Sequence, residues 1–124
     1  MVRVVRLGSP RARGEGPRLG TVRRPPRGVK KSDYARRNYY DVWLPELSPS
    51  PKVIAMANDW ARFVKAYRRE MQAPAAQHLL DLLAGLSRQA DFSVGCYCAD
   101  ERRCHRSVLR ELLAEHGAKT GKHG

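Results

Sequence analysis

The sequence predicts a small α/β layered domain with a mostly parallel central sheet flanked by helices. Three observations point to it. Strand-forming runs stand near both ends of the chain, at residues 2–7 and 92–98. Apolar residues at spacings of three and four fill the stretch between them, and a helix follows directly on the last strand. With 124 residues the chain suits one domain with a real core. We expect that domain over residues 1–117 and a frayed tail over residues 118–124.

Val2-Arg3-Val4-Val5-Arg6-Leu7 has the β-branched content of a strand. Residues 8–17 are a loop rich in Gly, Pro and Arg. Leu19-Gly20-Thr21-Val22-Arg23 is a second strand that runs into Arg24-Pro25-Pro26-Arg27-Gly28, where paired prolines forbid regular structure. Ser32 offers an N-cap for a short helix to Arg37. Residues 39–45 read as extended, and Ser48-Pro49-Ser50-Pro51 is a break. From Pro51 the apolar face is Ile54, Ala57, Trp60, Ala61, Val64, Tyr67 and Met71, with Asn58 or Asp59 able to cap a second helix inside the stretch. Arg62, Lys65, Arg68 and Arg69 fall on the solvated side. Pro74 opens a helix to Ser87, with Leu79, Leu82, Leu83 and Leu86 expected inward. Residues 92–98 form the last strand. The last helix runs from Cys104 to about His116, buries Val108, Leu109, Leu112 and Leu113, and stops at Gly117.

Twenty-four Lys and Arg stand against 12 Asp and Glu, a net charge of +12. That surplus favours anionic partners and is silent about reaction. No apolar run approaches the roughly 18 residues of a membrane span. The apolar-basic start breaks at Gly8-Ser9-Pro10-Arg11, too early for a secretory leader. The three cysteines are odd in number and sit within nine residues, which is not a disulfide framework. The expectation is a cytoplasmic protein with reduced thiols, no cofactor and no membrane partner. Nothing in the sequence speaks to oligomeric state.

Chemistry concentrates between Val94 and Arg106, where all the cysteines stand with three arginines and His105 at a strand-to-helix junction. The first N–H groups of a helix lack intrahelical partners and the dipole is positive there, so such junctions bind anions. In open α/β sheets ligands sit beyond the carboxyl ends of the strands. If the second and last strands are parallel neighbours, their two cationic loops converge. The candidate ligand-binding set is therefore Arg24, Arg27 and Gly28 from one loop and Cys98, Cys104, His105 and Arg106 from the other. Arg27 and Arg106 would clamp oxygens, because a planar guanidinium matches two phosphate oxygens at once. The expected ligand is a phosphate-bearing small molecule, a nucleotide or a nucleic-acid end.

Three other readings compete. Cys96 and Arg102 stand at the C-x5-R spacing of cysteine phosphatase loops, but Asp100 and Glu101 inside the loop would repel a dianion. Cys104, at a helix start beside His105, is the better candidate for chemistry if any occurs. Cys96, Cys98, Cys104 and His105 are zinc-ligand types. Their spacing is poor, and the surrounding arginines oppose a cation, so no metal is expected. A non-catalytic nucleic-acid-binding protein would use a basic N-terminal face of Arg3, Arg6, Arg11, Arg13, Arg18, Arg23, Arg24 and Arg27 beside Tyr34, Tyr39, Tyr40 and Trp43. For the last three aromatics packing is the commoner role. His78, His116 and His123 read as surface residues.

Pro26-Arg27-Gly28-Val29-Lys30, Trp43-Leu44 followed by Leu47-Ser48-Pro49-Ser50, Trp60-Ala61-Arg62-Phe63 with Tyr67-Arg68-Arg69-Glu70-Met71, and Cys98-Ala99-Asp100-Glu101 with Cys104-His105-Arg106-Ser107 stand in this order. Together they resemble the domain of unknown function 488 (YeaO-like) family, from Leu7 to Gly117. The resemblance implies a small Rossmann-like domain and no particular activity. Many relatives carry an acidic residue and a Trp where this chain has Arg23-Arg24-Pro25-Pro26, so no role of theirs carries over, and the loop here is more cationic.

Overall fold

The computed structural model describes residues 1–121. Strands β1 (Val2–Arg6), β2 (Arg18–Gly20), β3 (Val42–Trp43) and β4 (Phe92–Cys96) form one sheet in the order β1-β4-β2-β3. Every pairing is parallel, as the α/β expectation requires. β4 is central and buried along its whole length, which is why Phe92-Ser93-Val94-Gly95-Cys96 lacks the polar alternation of a half-exposed strand.

Helices α1 (Pro51–Ile54), α2 (Trp60–Glu70), α3 (Pro74–Ser87) and α4 (His105–Glu115) follow the sequence reading in outline. Asp59 does cap a second helix inside the stretch: its carboxylate accepts from the Arg62 N–H at 3.2 Å, the bond of an N-cap. The expected helix from Ser32 is instead a 3₁₀ turn, Lys31–Asp33, without a side-chain cap. β2 stops at Gly20, short of the expected Arg23.

The main core joins Val2, Val4 and Val94 of the sheet to Tyr67 of α2, Leu80 and Leu83 of α3, and Leu109 and Leu113 of α4. Val5, next to Val4, points to the opposite face. There it packs with Leu7, Val22 and Tyr40, and Tyr34, Tyr39 and Tyr97 close over them. The long helices thus share one core, and the other face is sealed by loops. Gly20 is obligatory under this cover, since a Cβ there would lie 2.3 Å from the Tyr40 ring.

The expected α2 face holds for Tyr67 and Met71, which are buried, and for Trp60 and Val64, which pack against the core, while Phe63 joins them and Ala61 is exposed. The α3 face is rotated: its buried side chains are Ala76, Leu80, Leu83, Ala84 and Ser87, while Leu82 and Leu86 are exposed. The tail also departs from expectation. Lys119 O accepts from Val2 N–H and Val2 O from Gly121 N–H, both at 2.8 Å, so residues 118–121 run along β1. The rest of the expected tail, with His123, lies outside the described residues. Among the described residues, no helix is long and apolar enough to cross a membrane.

Candidate functional site

The sheet order makes β2 and β4 parallel neighbours, with Gly20 beside Gly95. The loops that leave their carboxyl ends therefore start side by side. Backbone and side chains stitch them together. Thr21 donates its N–H and its hydroxyl to Gly95 O at 3.0 and 2.9 Å. The Tyr97 phenol donates to Arg24 O at 2.9 Å. Burial raises the Tyr97 pKa, so the phenol keeps its proton and stays a donor.

Between the loops opens a cavity of about 500 Å³. Val22, Pro49, Ile54, Ala57 and Phe63 make its apolar walls, and Arg23, Arg24, Arg27 and Arg103 stand at it. Arg23 is held by the carbonyls of Ser48 and Pro49 at 3.1 and 3.4 Å. The side chains of Arg24, Arg27 and Arg103 have no hydrogen bond or ion pair among the described residues. Ile54 and Ala57, expected in the helical core, instead face this cavity, because α1 ends at Ile54 and the chain turns before Asp59.

Cys96, Cys104 and His105 form the floor and are almost fully buried. Cys104 is the N-cap of α4, with extended backbone and no side-chain cap bond. That conformation lets consecutive side chains, Cys104 and His105, turn to one point, where Sγ and Nδ1 are 3.8 Å apart. The other imidazole nitrogen, Nε2, lies 2.7 Å from Thr21 O. A carbonyl can only accept, so Nε2 carries the proton and Nδ1 presents a lone pair to the cysteines. Burial pushes the His105 pKa down to about 4, with the Arg106 charge adding to it against the Thr21 bond, so the ring is neutral at pH 7. Cys96 Sγ meets Cys104 Sγ, and the two Cα atoms are 7.9 Å apart. That exceeds the roughly 7 Å a disulfide spans without backbone movement, so the pair reads as two converging thiols and not a cross-link.

Of the expected ligand-binding set, Arg24, Arg27, Cys98, Cys104 and His105 line the cavity. Gly28 does not: it sits exposed at φ +70°, with open space around it. Arg106 is 5% exposed and turns under the loop, where one Nη reaches Ala99 O at 3.5 Å and Nε and the other Nη have no partner. It holds its charge behind the cavity wall and not in it. The C-x5-R reading loses its arginine. Asp100 accepts from Arg102 N–H at 3.0 Å and opens the 3₁₀ turn Glu101–Arg103, which throws the Arg102 side chain into solvent. Sequence reasoning left Thr21 and Tyr97 out of every candidate set and placed Arg23 and Cys96 only in the competing readings. The ends of strands carry such residues, but only the pairing of β2 with β4 shows that they meet.

A family model named DUF488-N3a, described as the active DUF488-N3 subclade, matches residues 2–117. No curated protein and no solved structure matches the chain.

Proposed function

The chain belongs to the DUF488 family, a membership that names no reaction, and from this premise we propose that it binds a phosphate-bearing small molecule or nucleotide in the cavity at the carboxyl ends of β2 and β4. One observation carries the reading. Arg24, Arg27 and Arg103 face a cavity with largely apolar walls and have no anionic partner of their own among the described residues. Guanidinium groups in a fork match phosphate oxygens, and apolar walls strengthen the attraction by excluding water. A volume of about 500 Å³ is that of a small-ligand site.

The nucleic-acid reading has lost several of its residues. Arg18 is fully buried, Arg11 pairs with Asp41 at 3.0 Å, and Arg6 is bonded to Tyr97 O at 3.3 Å. A thermal-shift panel separates the two. It would contain inorganic phosphate, pyrophosphate, nucleotides and short oligonucleotides at about 50 and 200 mM salt. We expect a small phosphate compound to raise the wild-type Tm at both salt levels, and Arg27→Ala to bind it at least tenfold more weakly, the worth of one charge-assisted hydrogen bond of about 1.5–3 kcal/mol. Stabilisation by oligonucleotides alone, lost at the higher salt and unchanged in Arg27→Ala, would overturn the pocket and favour sequence-indifferent binding over the basic surface.

A further inference from the structure

We propose that Cys96, Cys104 and His105 form a binding centre for a thiophilic divalent ion of the zinc class, with one coordination position open to the cavity. The juxtaposition that carries this is direct. Cys96 Sγ, Cys104 Sγ and a ring nitrogen of His105 all lie within 4.8 Å of one another. All three residues are buried from bulk solvent, and all three line the cavity. Two sulfurs and one imidazole nitrogen are the donors zinc prefers, and three protein ligands with a free fourth position mark centres that take an exogenous oxygen.

The imidazole is already oriented for the task. A metal-bound histidine almost always donates its second N–H to a carbonyl or carboxylate, which fixes the tautomer and aims the ligating lone pair. Here Nε2–H is donated to Thr21 O at 2.7 Å. Thr21 is held in turn by its two bonds to Gly95 O. The lone pair on Nδ1 therefore points to the sulfurs and finds no proton donor stronger than a thiol there. An acceptor aimed at the Cys104 sulfur, with a second buried cysteine within 4.8 Å, is an arrangement that a packing role does not require.

The sequence argues against a metal on three counts, and the geometry answers each. The tight C-x-C spacing of Cys96 and Cys98 is not the relevant pair, because Cys98 is exposed past the end of β4. Adjacent residues seldom share a tetrahedral ion, but Cys104 is in extended conformation and His105 starts α4, so their side chains converge. The arginines at the cavity oppose a bare cation. They do not oppose this centre, because two thiolates balance the 2+ of the ion and nearby cations favour the thiolate form. The Cα separation of 7.9 Å leaves room for the sulfurs to part by rotation to the roughly 3.8 Å set by zinc–sulfur bonds of about 2.3 Å at a tetrahedral angle. The open position would take a water or an oxygen of an anion held by Arg24 or Arg27.

Cobalt(II) tests the centre without any variant. The full chain, reduced and stripped by a chelator, would be titrated with Co²⁺ and then with Zn²⁺. We expect one equivalent of cobalt to give a thiolate-to-cobalt charge-transfer band with the intense visible bands of a tetrahedral site, and zinc to abolish both. Cys98→Ser should leave the spectrum intact. Cys96→Ser and Cys104→Ser should each weaken binding by at least about tenfold, the lower bound for losing even an outer partner of a ligand. If those variants fail to fold, alkylation of the wild type decides the matter. Zinc should slow iodoacetamide modification of Cys96 and Cys104 and leave Cys98 unchanged. No cobalt spectrum with no zinc protection, or a spectrum that disappears with Cys98→Ser and survives both other variants, would overturn the proposal. The centre does not depend on the phosphate reading. Cobalt binding with no phosphate stabilisation refutes that reading alone, and the converse refutes the centre alone.

Discussion

At the scale of single residues, the pair Glu15 and Arg18 shows how far a charge count can mislead. Both are buried, joined by Arg18 Nε at 2.6 Å and Nη2 at 3.1 Å. The guanidinium also donates to the carbonyls of Ser9 and Asn38, and the carboxylate accepts from Ser93 and from Ala12 N–H. Arg18 thus anchors the first long loop to the sheet and is withdrawn from any basic surface. Glu15→Ala leaves a buried guanidinium without its counter-charge, so it should cost about 3–5 kcal/mol in denaturant unfolding. Burial raises the Glu15 carboxyl pKa, but the bonds from Arg18, Ala12 and Ser93 outweigh it, and the net value lies below the ordinary 4.5. The carboxylate therefore stabilises the fold above the unfolded-state pKa, and that contribution is lost as pH falls through the lower, folded-state value. Tm measured from about pH 7 to pH 3 should fall less steeply in the double variant Glu15→Gln, Arg18→Met than in the wild type.

At the scale of elements, α3 separates what periodicity reveals from what it hides. Its bounds, from Pro74 to Ser87, follow from the Pro at its start and the apolar spacing. Its orientation does not, because leucines at 79, 80, 82, 83 and 86 support two overlapping stripes. The stripe that wins contains Ala76, Ala84 and Ser87, small residues that let the helix approach its neighbours, and the Ser87 hydroxyl accepts from Lys119 N–H at 2.8 Å. Leu80→Ala should therefore cost about 2–5 kcal/mol and Leu82→Ala less than about 0.5, read as shifts in the denaturant midpoint. The candidate site divides in the same way. Arg24, Arg27, Cys98, Cys104 and His105 were legible because each follows a strand whose partner could be guessed. Ser48, Pro49 and Ile54 were not, since no spacing tells that a one-turn helix sinks Val53 into the core and turns Ile54 to wall a cavity. That Arg106 lies off the cavity was not legible either, because its place in the first turn of α4 says nothing of which way its long side chain turns.

At the scale of the whole molecule, the parallel sheet was legible from strands at both ends with helices between, but its order was not. Local pattern cannot tell that a late strand inserts between two early ones. β1 is bound on one side by β4 and on the other by residues 119–121, so both of its neighbours come from the far end of the chain. Truncation after Gly117 should leave Val2 without its outer partners and lower stability by about 1–3 kcal/mol, the cost of unpaired backbone groups, measured by thermal or denaturant unfolding. The order β1-β4-β2-β3 also has a temporal meaning. As a nascent chain leaves the ribosome at about 5–20 residues per second, only the short β2–β3 ladder can close before β4 emerges. β1 waits until β4 has been made, and so does the floor of the cavity. Folding of the sheet is thereby tied to the emergence of its central strand, and β1, the first strand to be made, waits longest for a partner.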